Sequence, residues 1–188
     1  RVPREGRRAF WRWAFSETPR RMHAAGAERD AARALKDAIA GGGAPDADAL
    51  GVISLVGAGP GSADLLTMRA VQRLQEADII FYDRLVDPAV LELARRDAER
   101  VYVGKAVGAC AWPQERIDAI IVAAAKQGKR VVRLKSGDPC VFGRASEELA
   151  AARAAGLTVE IVPGVTAATA AAASIGQSLT ERGQTDRL

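Results

Sequence analysis

The chain has 188 residues, 48% of them hydrophobic, and a formal net charge of +4, which is enough apolar material for one ordinary domain with an appendage. No apolar run approaches the ~20 residues a membrane span needs, the alanine-rich stretch 167–173 included, so no membrane partner is expected. Two cysteines, Cys110 and Cys140, and a single histidine, His23, offer neither a zinc site nor a disulfide framework and point to the cytoplasm.

The charge is uneven along the chain. Residues 1–40 carry ten basic against five acidic side chains, whereas 51–188 carry seventeen against sixteen. The basic excess therefore belongs to the N-terminal appendage. A nearly neutral main segment argues against a nucleic-acid partner, which requires a basic face with interleaved aromatics.

Residues 4–39 read as helix, interrupted at Ser16-Glu17-Thr18-Pro19, which suits the end of one helix and the start of the next. Phe10, Trp11, Ala14 and Phe15 fall on one face, flanked by Arg7, Arg8 and Arg12. That stripe reads as a packing face for another domain or subunit, with nucleic-acid contact as the less favoured use. A second helix over 27–39 runs into Gly41-Gly42-Gly43-Ala44-Pro45-Asp46, a flexible linker by composition that places a boundary at 41–50. Beginning at Arg1 without a start methionine, the chain reads as part of something longer.

From Gly51 the pattern alternates. Apolar runs at 52–56, 79–82, 101–103, 131–134 and 158–162 read as short strands, with helical periodicity between them. Leu66, Ala70, Val71, Leu74 and Ala77 form one helical stripe, and 88–94 a shorter helix. Pro113 opens a third, in which Ile117, Ile120, Ile121 and Ala124 line one face before Gly128 ends it. A fourth covers 146–155 and stops at Gly156. The alternation predicts an α/β lobe over 51 to about 176, a mostly parallel five-stranded sheet with helices on both faces, preceded by a separate helical segment.

Ligands collect at the carboxyl ends of such strands. Here those ends carry Gly57-Ala58-Gly59-Pro60-Gly61, Tyr82-Asp83-Arg84-Leu85, Gly104-Lys105, Lys135-Ser136-Gly137-Asp138-Pro139 and Pro163-Gly164-Val165-Thr166-Ala167. Glycines in the first turn let a ligand approach main chain without meeting a Cβ. Gly57, Gly59 and Asp83 also imitate a dinucleotide fingerprint, but Ser62 stands where its third glycine belongs, so a nicotinamide-dependent oxidoreductase is the rival reading.

In order and spacing these strand ends resemble the N-terminal half of the tetrapyrrole methylases, most closely the uroporphyrinogen-III C-methyltransferase branch found in siroheme synthases. The motifs are Val56-Gly57-Ala58-Gly59-Pro60-Gly61 with Asp64-Leu65-Leu66-Thr67, then Tyr82-Asp83-Arg84-Leu85-Val86, Val103-Gly104-Lys105 and Pro113-Gln114-Glu115. They continue with Arg133-Leu134-Lys135-Ser136-Gly137-Asp138-Pro139, Phe142-Gly143-Arg144, Glu147-Glu148 and Val162-Pro163-Gly164-Val165-Thr166-Ala167. Together they span about 51–180, leaving 181–188 as the start of a connection to a second lobe. Residues 1–40 resemble the helical tail of a precorrin-2 dehydrogenase and ferrochelatase module, which in such enzymes helps to form a homodimer.

The resemblance implies methyl transfer from S-adenosyl-L-methionine to two ring carbons of uroporphyrinogen III, giving precorrin-2 for siroheme and cobalamin. Another precorrin methyltransferase of the cobalamin route is the neighbouring alternative. The resemblance makes Asp83 the proton acceptor and Lys105 the proton donor or its charge partner. It places Pro60, Ser136, Gly137, Asp138, Val141, Thr166 and Ala167 around the methyl donor, and Arg84, Lys135 and Arg144 near the substrate carboxylates. No metal is implied. The chain departs from the family where Ser136 replaces a second glycine, at Cys140, at Ala145-Ser146, and in lacking a histidine around 108–112. If position 136 requires φ > 0, serine there costs on the order of 1 kcal/mol.

Overall fold

The computed structural model describes residues 1–4, 6–45, 51–104 and 112–183, Ser16 by its backbone alone. The chain divides into two compact units, Arg1–Ala49 and Leu50–Leu188.

In the first unit, α1 (Arg7–Ser16), α2 (Thr18–Ala24) and α3 (Glu28–Ala40) follow one another. Pro19 lies in the first turn of α2, where its missing N–H costs no helical bond. The interruption expected near Ser16 is present, and a further turn at 25–27 separates α2 from α3, making three helices where two were read. The aromatic stripe also divides. Phe10, Trp13 and Ala14 are buried with Val2 and Ala38. Trp11 and Phe15 are 53% and 66% exposed and stack on each other, centroids 5.4 Å apart. Positions 11 and 15 are four residues apart and so form their own row beside the buried one.

The second unit holds β1 (Val52–Gly57), α4 (Met68–Glu76), β2 (Ile79–Tyr82), α5 (Pro88–Glu92), β3 (Glu99–Tyr102), α6 (Gln114–Lys126), β4 (Val131–Lys135), α7 (Ala145–Ala154), β5 (Thr158–Val162) and α8 (Ala167–Ser174). The strands form one sheet in the order β3-β2-β4-β1-β5, and every pairing is parallel. Leu134 of β4 is in register with Val56 on one side and Tyr82 on the other.

Side chains alternate across the sheet. Val56, Ile80, Val132, Leu134 and Val162 pack with Ala70 and Leu74 of α4 and Val90 and Leu91 of α5. Ile53, Leu55, Ile79, Phe81 and Val131 pack on the other face with Ile117 and Ile121 of α6 and Ala152 of α7. A parallel sheet covered on both faces needs near-continuous apolar strands, as β1, β2 and most of β4 supply.

Two expectations change here. β3 runs over Glu99–Tyr102 and not 101–103, because the ladder begins at Glu99 N–H donating to the Asp78 carbonyl (3.0 Å); this edge strand starts with exposed charged residues that hydropathy does not register. α8 was not anticipated. It is capped by Thr166, whose hydroxyl accepts from Thr169 N–H (3.3 Å), and none of its residues is buried. Among the described residues no helix is long and apolar enough to cross a membrane.

Candidate active site

β4 lies between β1 and β2. Both neighbours lead into helices on one face, α4 and α5, while β4 leads into α7 on the other. Where adjacent chains depart to opposite faces, the carboxyl edge of the sheet opens into a crevice. The two crevices flanking β4 are therefore where topology alone places a ligand.

The crevice between β1 and β4 is walled by main chain. A Cβ added to Gly57 would lie 2.6 Å from the Gly137 carbonyl oxygen and 2.7 Å from the Gly164 Cα, so the ends of β1, β4 and β5 meet without side chains between them. Gly59 and Gly137 exchange N–H···O bonds of 3.2 and 2.7 Å. The Asp138 carboxylate ties the wall together, accepting from Cys140 N–H at 2.7 Å and from Gly164 N–H at 2.9 Å. Thr166 begins α8 beside Gly137.

Pro60, Ser136, Gly137, Asp138, Thr166 and Ala167 are thus gathered at three adjacent strand ends, and Val141 lies in the same loop as Asp138, 46% exposed. Position 136 does not require a positive φ, so Ser136 carries no such strain. Gly137 takes the positive φ, +65°, while the left-handed non-glycine residues are Phe142 and Arg144, both at 53°. Each costs on the order of 1 kcal/mol, and both lie in the loop that leaves β4 toward α7. Phe142 is fully exposed.

The crevice between β2 and β4 is charged. Asp83 follows β2, its Oδ1 accepting from Leu85 N–H at 3.2 Å and its Oδ2 standing 3.6 Å from Arg133 Nη2. Lys105, expected opposite Asp83, lies outside the described residues. The cation described there is Arg133, whose Nε donates to Glu148 Oε1 at 3.0 Å and whose Nη1 donates to the Leu134 carbonyl at 3.0 Å. Lys135 lies two residues on and so points the same way, its Nζ donating to Glu148 Oε2 at 2.9 Å.

Lys135 was expected to meet a substrate carboxylate; instead it is buried and paired. Burial lowers its pKa from the usual lysine value, and Glu148 opposes that only in part. Gln114 of α6 joins the group, donating to Asp118 at 2.8 Å and to Glu148 at 3.4 Å. Burial raises the Asp118 carboxyl, against the Gln114 bond. Arg84 is exposed. Arg144 is exposed and bidentate on Glu147, at 2.7 and 2.6 Å, and that pairing holds the Glu147 carboxyl below its usual value. Arg133 and Glu148 were read only as parts of motifs. Their signal was two cations two residues apart in an otherwise apolar strand, which can be buried only against an acid.

An α/β unit with a side-chain-free main-chain wall on one side of its central strand and a buried ion cluster on the other is of the class that binds small molecules at a topological switch point. The chain belongs to the tetrapyrrole (corrin/porphyrin) methylases, whose family pattern matches residues 52–188. The dinucleotide-binding alternative gives way to this assignment.

It is 51% identical over 176 residues to a siroheme synthase of Pseudomonas paraeruginosa, a match covering 94% of this chain and 37% of the relative. Uroporphyrin-III C-methyltransferase of Thermus thermophilus is similar in structure, with a TM-score of 0.63 and 47% identity over 71% of this chain and 56% of that one. The same enzyme complexed with S-adenosyl homocysteine gives a TM-score of 0.61 and 47% identity, covering 73% and 57% of the two chains. The chain spans little more than a third of the length of the curated relatives it matches.

Proposed function

We propose that residues 51–180 form the N-terminal lobe of an S-adenosyl-L-methionine-dependent methyltransferase that converts uroporphyrinogen III to precorrin-2. Residues 1–40 belong to a preceding dehydrogenase and ferrochelatase module, 41–50 are the linker, and 181–188 lead toward a second lobe. The protein works in the cytoplasm as a homodimer. The observation that carries the reading is the main-chain wall of Gly57, Gly137 and Gly164, in which a Cβ on Gly57 or on Gly164 would strike backbone; the relatives named above support it.

The donor supplies an electrophilic methyl group on a sulfonium. Pro60, Ser136, Gly137, Asp138, Val141, Thr166 and Ala167 hold it at the ends of β1, β4 and β5. Asp138 serves by keeping the β4 and β5 loops together, and main-chain groups freed of side chains lie against the ligand. On the other side of β4, Asp83 accepts the proton that the alkylated, cationic macrocycle must lose to become neutral. Arg84 and Arg144, both exposed at this edge, face substrate carboxylates, and Lys105 is the donor or charge partner of Asp83. Holding the ring carbon in line with the methyl group is the larger part of the catalysis.

Incubating the full-length enzyme with labelled donor and uroporphyrinogen III tests the reading. A product two methyl groups heavier is expected. No methylated product refutes the assignment, and a different site or number of methyl groups transfers it to another precorrin methyltransferase.

A further inference from the structure

Inside the sheet-and-helix layer, beneath the β2–β4 crevice, lie three charged side chains that the proposed chemistry does not use. Glu148 is 2% exposed at its side chain, Arg133 6% and Lys135 7%. Burying such a cluster is not a general route to stability, since well-packed apolar residues in its place are often neutral or better. Here the cluster carries two cations in direct contact with one buried carboxylate, and Asp83, 28% exposed, is the further acid that pairs with Arg133. Arg133 reaches both acids: its Nε donates to Glu148 and its Nη2 stands 3.6 Å from Asp83 Oδ2.

We propose that Arg133 and Glu148 are positioning residues for Asp83. Glu148, from α7, fixes the guanidinium plane of Arg133. Arg133, with the Leu85 N–H on the other oxygen, then fixes the rotation of the Asp83 carboxylate. Lys135 holds the second Glu148 oxygen, so the carboxylate cannot turn away from Arg133. The inference rests on the reading of Asp83 as the base. In the step it serves, the methylated ring carbon is quaternary and the macrocycle cationic; a methylene C–H bond beside the methylated pyrrole breaks, its electron pair neutralises the ring, and the proton passes to Asp83, while Arg133 and Glu148 exchange no proton.

The consequence is non-additivity, because a residue acting through Asp83 has nothing to act on once the carboxylate is gone. In the full-length enzyme, Arg133→Lys keeps the charge but lacks the fork that reaches Glu148 and Asp83 together. It should lower kcat by about tenfold or more while KM for donor and tetrapyrrole stays within about twofold. In an Asp83→Asn background the same change should alter kcat by less than about twofold.

Turnover kept within twofold by Arg133→Lys, or a full tenfold loss repeated in the Asp83→Asn background, overturns the inference while leaving the function standing. A lowered melting temperature with unchanged kcat marks a purely structural cluster and overturns it too. If Arg133→Lys does not fold, Glu148→Gln takes its place in the cycle; if neither folds, the cluster is a folding element and the inference fails. A parent enzyme inactive on uroporphyrinogen III refutes the proposed function itself.

Discussion

Gly57→Ala is the sharpest test of the main-chain wall. The added methyl would stand 2.6 Å from the Gly137 oxygen and 2.7 Å from both the Cα and the nitrogen of Gly164, whereas ordinary contact begins at 3.4 Å. The β4 and β5 loops must therefore withdraw by about 0.8 Å. All the obstructing atoms are backbone, so no side-chain rotation can relieve the clash. Overpacking of this kind costs about 1–3 kcal/mol.

The withdrawal also strains the Gly164 N–H bond to Asp138, which now measures 2.9 Å. A hydrogen bond to a charged group contributes about 1.5–3 kcal/mol. The expected loss is about 2–5 kcal/mol, a large part of the stability of an ordinary domain. Urea unfolding followed by circular dichroism measures it, and calorimetric titration with S-adenosylhomocysteine should show at least about tenfold weaker binding. A variant within about 0.5 kcal/mol of the parent that binds the ligand equally well would refute the reasoning.

Asp83→Asn in the full-length enzyme should lose about 10²-fold or more in turnover, with donor affinity and melting temperature nearly unchanged; near-normal turnover would make Asp83 a structural partner of Arg133. Two of the shifted groups make separable contributions to the pH dependence of stability. The bond from Arg73, whose Nε donates at 2.5 Å, holds the Glu160 carboxyl below its ordinary 4.5. Its stabilisation is therefore complete above that pH and lost as pH falls through the lowered value, and Glu160→Gln should flatten the acid limb of the urea midpoint. Lys135 acts in the opposite range, because its pKa in the fold lies below 10.5. The unfolded chain then binds the extra proton, so stability should rise with pH toward 10.5, and Lys135→Met should remove that rise.

The alternation of apolar runs and helical stripes was sufficient for the α/β class, because strand burial and helix periodicity are local properties of sequence. The glycine turn after β1 was legible for the same reason, and the ordered motifs at five strand ends carried the family. Other features were beyond local reading. The first residues of β3 are charged and exposed, and only pairing with β2 makes them strand. Trp11 and Phe15 share a helical neighbourhood with Phe10, yet only packing against α3 decides which row is buried.

The site divides in the same way. Sequence placed Asp83 and Lys135 at strand ends, where both looked available to a ligand. Which way each points depends on the pleat, on β4 lying between β1 and β2, and on α7 presenting Glu148 to the face that carries Arg133 and Lys135. Strand order is a long-range choice, made by how helices on two faces satisfy the whole sheet at once. It turned Lys135 from an expected ligand contact into a buried ion and set Arg133 beside Asp83.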